Sequence, residues 1–174
     1  NLQHATHHGP PADPMRRARD TPPPRPSCEG LICFGAYPRN AGSGMPTKGT
    51  ALKETAMFVR MLYDESLAQA SYLIGCPGSG EAIVIDPGRD VDRYIELAAR
   101  EKLRITHAAE THVHADFLSG VRELAHRVGA IPCVSAEGGD DWTPKWLKES
   151  PAPPRRLRHN DIIQLGGVRL RAIH

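Results

Sequence analysis

The stretch THVHADFLSG, Thr111 to Gly120, sets His112 and His114 two residues apart, adds Asp116 two further on, and puts Phe117 where another histidine would have extended the cluster. Side chains at alternate positions of an extended loop point the same way, so His112, His114 and Asp116 are expected to converge. Imidazole suits zinc, iron and copper, and carboxylate adds a harder donor, so the three are candidate ligands of a divalent transition metal. A lone pair of histidines in this spacing is a weak signal, and its weight depends on what surrounds it.

Upstream, ITHAAET reads as a strand that breaks into the polar histidine loop. Downstream, Leu118, Val121, Leu124, Ala125 and Val128 recur at helical spacing and stop at Gly129, a natural C-cap. Further back, ASYLIGC and EAIVIDPG flank the turn PGSG and read as a hairpin, with MFVRMLYD as an edge strand before it. The run AIVID is almost wholly apolar, as a strand buried on both faces must be. Asp90 is placed to cap a helix through VDRYIELAAREKL. IPCVSA reads as a further strand, GGDDWTPKWLKESPAPPRRLRHN as a long loop or broken helix, and DIIQLGGVRLRAIH as a last hairpin turning at Gly166 and Gly167. Strands alternating with helices define an α/β chain.

Composition bounds the partners. A net charge of +2 over 174 residues gives no sign of nucleic acid, and no apolar run approaches the roughly 18 residues needed to span a bilayer. No secretory signal is visible, so a cytoplasmic location is expected. Cys28, Cys33, Cys76 and Cys133 lack metal or redox spacing and read as unpaired thiols. Cys76 lies in a turn signal and is expected to be exposed, whereas Cys133 reads as a small buried hydrophobe. His107 and His126 read as structural and His159 as solvated. Residues 1–56 are rich in Pro, Arg and small residues and have no apolar period; they read as a disordered or spurious upstream extension, with the domain beginning near Met57. His4, His7 and His8 fall in that extension and read as an adventitious cluster.

The hairpin with YLIG and IDPG, the helix after it, and ETHVHADFLSG resemble the metallo-β-lactamase superfamily, and within it the persulfide dioxygenase and glyoxalase II branch. The similarity covers about residues 57–174 and centres on Glu110, Thr111, His112, His114, Ala115, Asp116 and Gly120. It implies an αββα sandwich of which this chain holds the N-terminal part, cut before the downstream metal ligands, with His174 just ahead of one of them. It also implies that Phe117 replaces a ligand of a second metal, leaving one ion per complete domain. In a persulfide dioxygenase that ion is Fe(II), with His112 as the ligand from this segment, His114 and Asp116 orienting it or a water, and a thiol persulfide as substrate. A downstream sulfurtransferase domain fits the same resemblance. The competing expectations are a Zn(II) hydrolase of glutathione thioesters working through a metal-activated water, and a metal-free, non-catalytic remnant. The segment alone is expected to be inactive and poorly soluble.

Overall fold

The computed structural model describes Cys33–Pro38 and residues 57–174. Among the described residues nine strands form two sheets. In the larger, β2 (Phe58–Asp64), β3 (Gln69–Cys76), β4 (Glu81–Ile85), β5 (Arg104–Ala109), β6 (Ile131–Ser135) and β7 (Arg155–Leu157) lie side by side in that order. The first three run antiparallel, while β4 through β7 run parallel. In the smaller, β9 (Val168–Ile173) lies between β1 (Cys33–Pro38) and β8 (Ile162–Leu165), antiparallel to both.

The alternation of β4 decides the layering. Ile83 and Ile85 face the smaller sheet, where they join Ile74, Leu157, Ile163, Leu165 and Leu170; Ala82 and Val84 face two helices and join Tyr94, Leu97 and Leu124. Residues 82–85 are all buried, as expected for a strand covered on both faces, and full burial of each Ile or Val contributes about 1.5–3 kcal/mol. The described residues thus build a helix layer and two facing sheets, three of the four layers of an αββα sandwich.

Helix α1 (Asp92–Arg100) buries Tyr94, Leu97 and Ala98. Asp90 does not cap it: Val91 holds that position, its carbonyl accepts the first bonds from Tyr94 and Ile95, and the N-terminus has no side-chain cap bond. Asp90 falls one residue early and stays in solvent. Helix α2 (Val121–Val128) ends as the sequence predicts, with Gly129 left-handed at φ 68° and its N–H bonded to the Ala125 carbonyl. Leu118, assigned to this helix by its spacing, instead lies before it and is 64% exposed.

Three further expectations meet a different structure. Cys76 is buried, because the β3–β4 and β8–β9 turns meet there and its Sγ accepts the Gly167 N–H at 3.3 Å. Within the segment read as an extension, Cys33–Pro38 forms a strand on the edge of β9; the rest of residues 1–56, with His4, His7, His8 and Cys28, lies outside the described residues. The long polar stretch before the last hairpin contains a 3-10 helix at Lys145–Glu149 and the strand β7. Cys133 is buried as predicted, and burial pushes its thiol up to about 12. No helix among the described residues is long and apolar enough to cross a membrane.

Candidate metal centre

Because β4 and β5 are parallel, their C-terminal ends emerge together, and two loops leave the sheet there: Asp86–Pro87–Gly88 and the histidine loop Glu110–Ser119. Ligand sites of α/β sheets form at such carboxyl ends. The two loops are stitched at their far end by a bridge between Gly88 and Ser119 and by the Gly120 N–H donating to the Pro87 carbonyl at 2.8 Å. Glycine is required at 120, since a Cβ there would collide with the Gly88 carbonyl oxygen and lie 2.7 Å from Val91 Cγ1.

At the near end, Asp86 organises the histidines. It adopts the left-handed conformation at φ 50°, which costs a non-glycine residue about 1–2 kcal/mol. Its carboxylate offsets this by accepting the Thr111 N–H at 2.6 Å, the Thr111 hydroxyl at 2.8 Å and His114 Nε2 at 3.0 Å. Burial pushes the Asp86 carboxyl up, but the bonds from His114 and Thr111 outweigh burial and hold it below the usual carboxylate range. An ionised carboxylate can only accept, so these bonds assign the protons.

The Thr111 hydroxyl has one proton and gives it to Asp86 Oδ2. Toward His112 Nδ1, 2.9 Å away, the same oxygen must therefore accept. His112 consequently carries its proton on Nδ1 and presents the Nε2 lone pair. By the same logic His114 donates from Nε2 to Asp86; burial pushes its pKa down, but the bond to Asp86 and the surrounding carboxylate charges outweigh burial and raise it, and when the ring is neutral its lone pair lies on Nδ1. The two rings lie side by side, with centroids 4.1 Å apart. Each has one nitrogen anchored through Asp86 and one left as a donor, the arrangement in which metal-binding histidines are commonly held.

Not every predicted ligand joins them. Asp116 is exposed and acts on His114 only as a nearby charge. Phe117 stacks on His114, centroids 4.3 Å apart, so it packs within the loop. Among the described residues no three His, Cys, Asp or Glu side chains come together as a metal-holding set. By their chemistry the two free imidazole nitrogens would suit a share of one transition-metal ion's coordination, which they do not complete.

Glu110, at the base of the loop, is pushed up by burial, partly offset by a hydrogen bond with Ser119 and by the charges of the histidines. His107 is half-buried on β5 with Nδ1 2.9 Å from the Thr106 hydroxyl, His126 is exposed on α2, and His159 is exposed. His174 anchors the end of β9: its N–H donates to His159 Nδ1 at 3.1 Å, and its Nε2 lies 3.3 Å from the Leu157 carbonyl, at the C-terminal end of β7. It therefore sits on the same edge of the parallel strands as the histidine loop.

Asp86 was the residue that motif spacing alone missed. It ends the AIVID run, and a carboxylate at the C-terminal end of a buried parallel strand, followed by Pro-Gly, was the signal available for it.

The metallo-beta-lactamase superfamily profile matches residues 66–174, and the chain belongs to that superfamily. Among solved structures it is similar to a metallo-beta-lactamase from Staphylococcus aureus subsp. aureus COL, 48% identical with TM-score 0.63 over 68% of this chain and 33% of that one. It is also similar to ETHE1 from Myxococcus xanthus, 32% identical with TM-score 0.53 over 63% of this chain and 44% of that one. Among curated proteins it is 32% identical to a hydroxyacylglutathione hydrolase-like protein of Mus musculus, across 59% of this chain and 32% of the relative. A hydroxyacylglutathione hydrolase of Xanthomonas campestris pv. campestris is likewise 32% identical, across 51% and 31%. The chain thus spans about a third of the length of these curated relatives.

Proposed function

We propose that this chain supplies the histidine half of a mononuclear metal site in an enzyme that oxidises a low-molecular-weight thiol persulfide. The carrying observation is the pairing of His112 and His114 through Asp86 together with Phe117 stacked on His114. Phenylalanine has no lone pair, so the place where a further imidazole would hold a second ion is closed to one. Two histidine nitrogens joined by a carboxylate suit non-haem Fe(II), which when bound supplies open positions for O₂ and the persulfide sulfur. The two histidines do not complete a metal's coordination among the described residues, so the reading requires further ligands, and the chain spans about a third of the length of its curated relatives. Within this chain, Thr111 and Asp86 fix the proton positions of both rings, and Phe117 keeps water from the far side of His114.

A second reading, a Zn(II) enzyme cleaving glutathione thioesters, is favoured by the likeness to a hydroxyacylglutathione hydrolase and to a hydroxyacylglutathione hydrolase-like protein. Both readings share a glutathione-type substrate and a metal at His112 and His114. Turnover assays of the full-length protein separate them: O₂ uptake with glutathione persulfide, yielding sulfite, is expected, whereas thioester hydrolysis without O₂ uptake would establish the hydrolase. A domain that binds no metal and turns over neither substrate would be the non-catalytic remnant.

A further inference from the structure

We propose that Gln69 is a positioning residue for the histidine pair, acting through the backbone of Asp86; this rests on the reading of His112 and His114 as metal donors. Ladder pairing between β3 and β4 ends at Tyr72 and Ile85, and beyond it the chain leaves the sheet at Asp86. The Asp86 N–H still reaches the Ala109 carbonyl on β5 at 2.8 Å, but its own carbonyl has lost the ladder on the β3 side. The next residue is Pro87, so that peptide has no N–H and its carbonyl is its whole hydrogen-bonding capacity. Gln69, buried at the first position of β3, reaches across the gap and donates from Nε2 to that carbonyl at 2.6 Å. The same nitrogen donates to the Ala70 carbonyl at 3.2 Å, so both amide protons are committed.

The Ala109 carbonyl holds the Asp86 N–H on one side of Cα and Gln69 holds the Asp86 carbonyl on the other, so the two bonds together fix the peptide planes that flank its left-handed Cα. Holding the carbonyl therefore holds the Cα–Cβ direction, and with it the carboxylate that receives Thr111 and His114. An apolar side chain of the same length would fill the space at 69 and leave the buried carbonyl without a donor, which the peptide relieves by turning. Turning it moves the carboxylate off Thr111, and the Thr111 hydroxyl then no longer fixes the His112 tautomer. Gln69 touches neither histidine, so its effect passes through Asp86.

The test uses the full-length protein with Gln69→Met, which keeps the length and loses the donor, and Gln69→Leu, which loses the donor in a branched apolar shape. In metal-stripped protein, hydrogen exchange of the Thr111 amide is expected to accelerate at least about tenfold in both variants, while amides in β4, β5 and α2 keep their protection. In Co(II)-loaded protein the visible absorption is expected to shift, and Co(II) affinity to fall by about tenfold to a hundredfold. Unchanged Thr111 exchange in either variant would overturn the proposal, as would a uniform loss of protection through every strand. If the parent protein binds no Co(II) yet Thr111 is deprotected in both variants, the anchoring of the loop by Gln69 stands and the metal reading falls.

Discussion

A single hydroxyl proton decides what His112 offers to a ligand. Thr111 gives that proton to Asp86 and so obliges His112 to protonate Nδ1 and expose Nε2. Thr111→Val keeps the size of the residue and the backbone bond to Asp86 but removes the hydroxyl. Metal affinity of the full-length protein should drop about tenfold to a hundredfold in a chelator-competition titration; unchanged affinity would show that the tautomer is set elsewhere. A second histidine titrates apart from this site. Burial first, and then the charge of Arg155, hold the His107 pKa below its ordinary value. The unfolded chain, with a histidine pKa near 6.5, takes up the proton first as pH falls. The stability gained from keeping this ring neutral is therefore complete above about pH 6.5 and is lost as pH falls from there toward the folded-state value. Melting temperatures at pH 7.5 and 5.5 should differ less in His107→Gln than in the parent, and an equal difference would contradict the assignment. At this scale the sequence was half legible. His112 and His114 announce themselves by type and spacing, whereas Asp86 and Gln69 act through bonds that exist only once β3, β4 and the histidine loop are brought together.

Among the elements, the hairpin of β3 and β4 and the stop of α2 at Gly129 were readable because apolar period and turn chemistry agreed there. Asp90 misled because a capping residue type one position early looks the same in sequence as one in register. Leu118 misled because it keeps the helical period while the chain is still in the loop. The strand β7 was hidden by its arginines, only Leu157 of its three residues being apolar and buried. The junction that matters most for the site is Gly120, where α2 begins against the Gly88 loop. Its φ is −84°, so any residue suits the backbone and only space forbids a side chain. Gly120→Ala should cost about 1–3 kcal/mol in urea unfolding, because the obstacle is backbone and cannot swing aside. Loss of less than about 0.5 kcal/mol would mean that the loops separate freely.

On the scale of the molecule, the two sheets do not match in width among the described residues. Val59, Met61 and Tyr63 on β2 lie on the same face as Ile74, the face turned toward the smaller sheet, yet they are 49%, 55% and 52% exposed. An uncovered apolar face on an edge strand is an association surface. Residues 1–174 on their own should therefore self-associate and bind an apolar dye, and Met61→Lys with Tyr63→Lys should reduce both without altering the far-ultraviolet circular dichroism. A monodisperse, dye-free parent chain would show that the face is covered by other means. The order of strands and helices showed an α/β chain and the family resemblance implied the sandwich, but neither gave its width, because period reports which face of a strand is apolar and not what lies opposite.

The most direct measurement is the metal content of the full-length protein, purified from its native source without added metal and compared with Phe117→His. One iron per chain in the parent, with iron lost on His112→Ala, is the predicted result. Two zinc ions per chain in the parent would contradict the account, because Phe117 would then not have closed the second position.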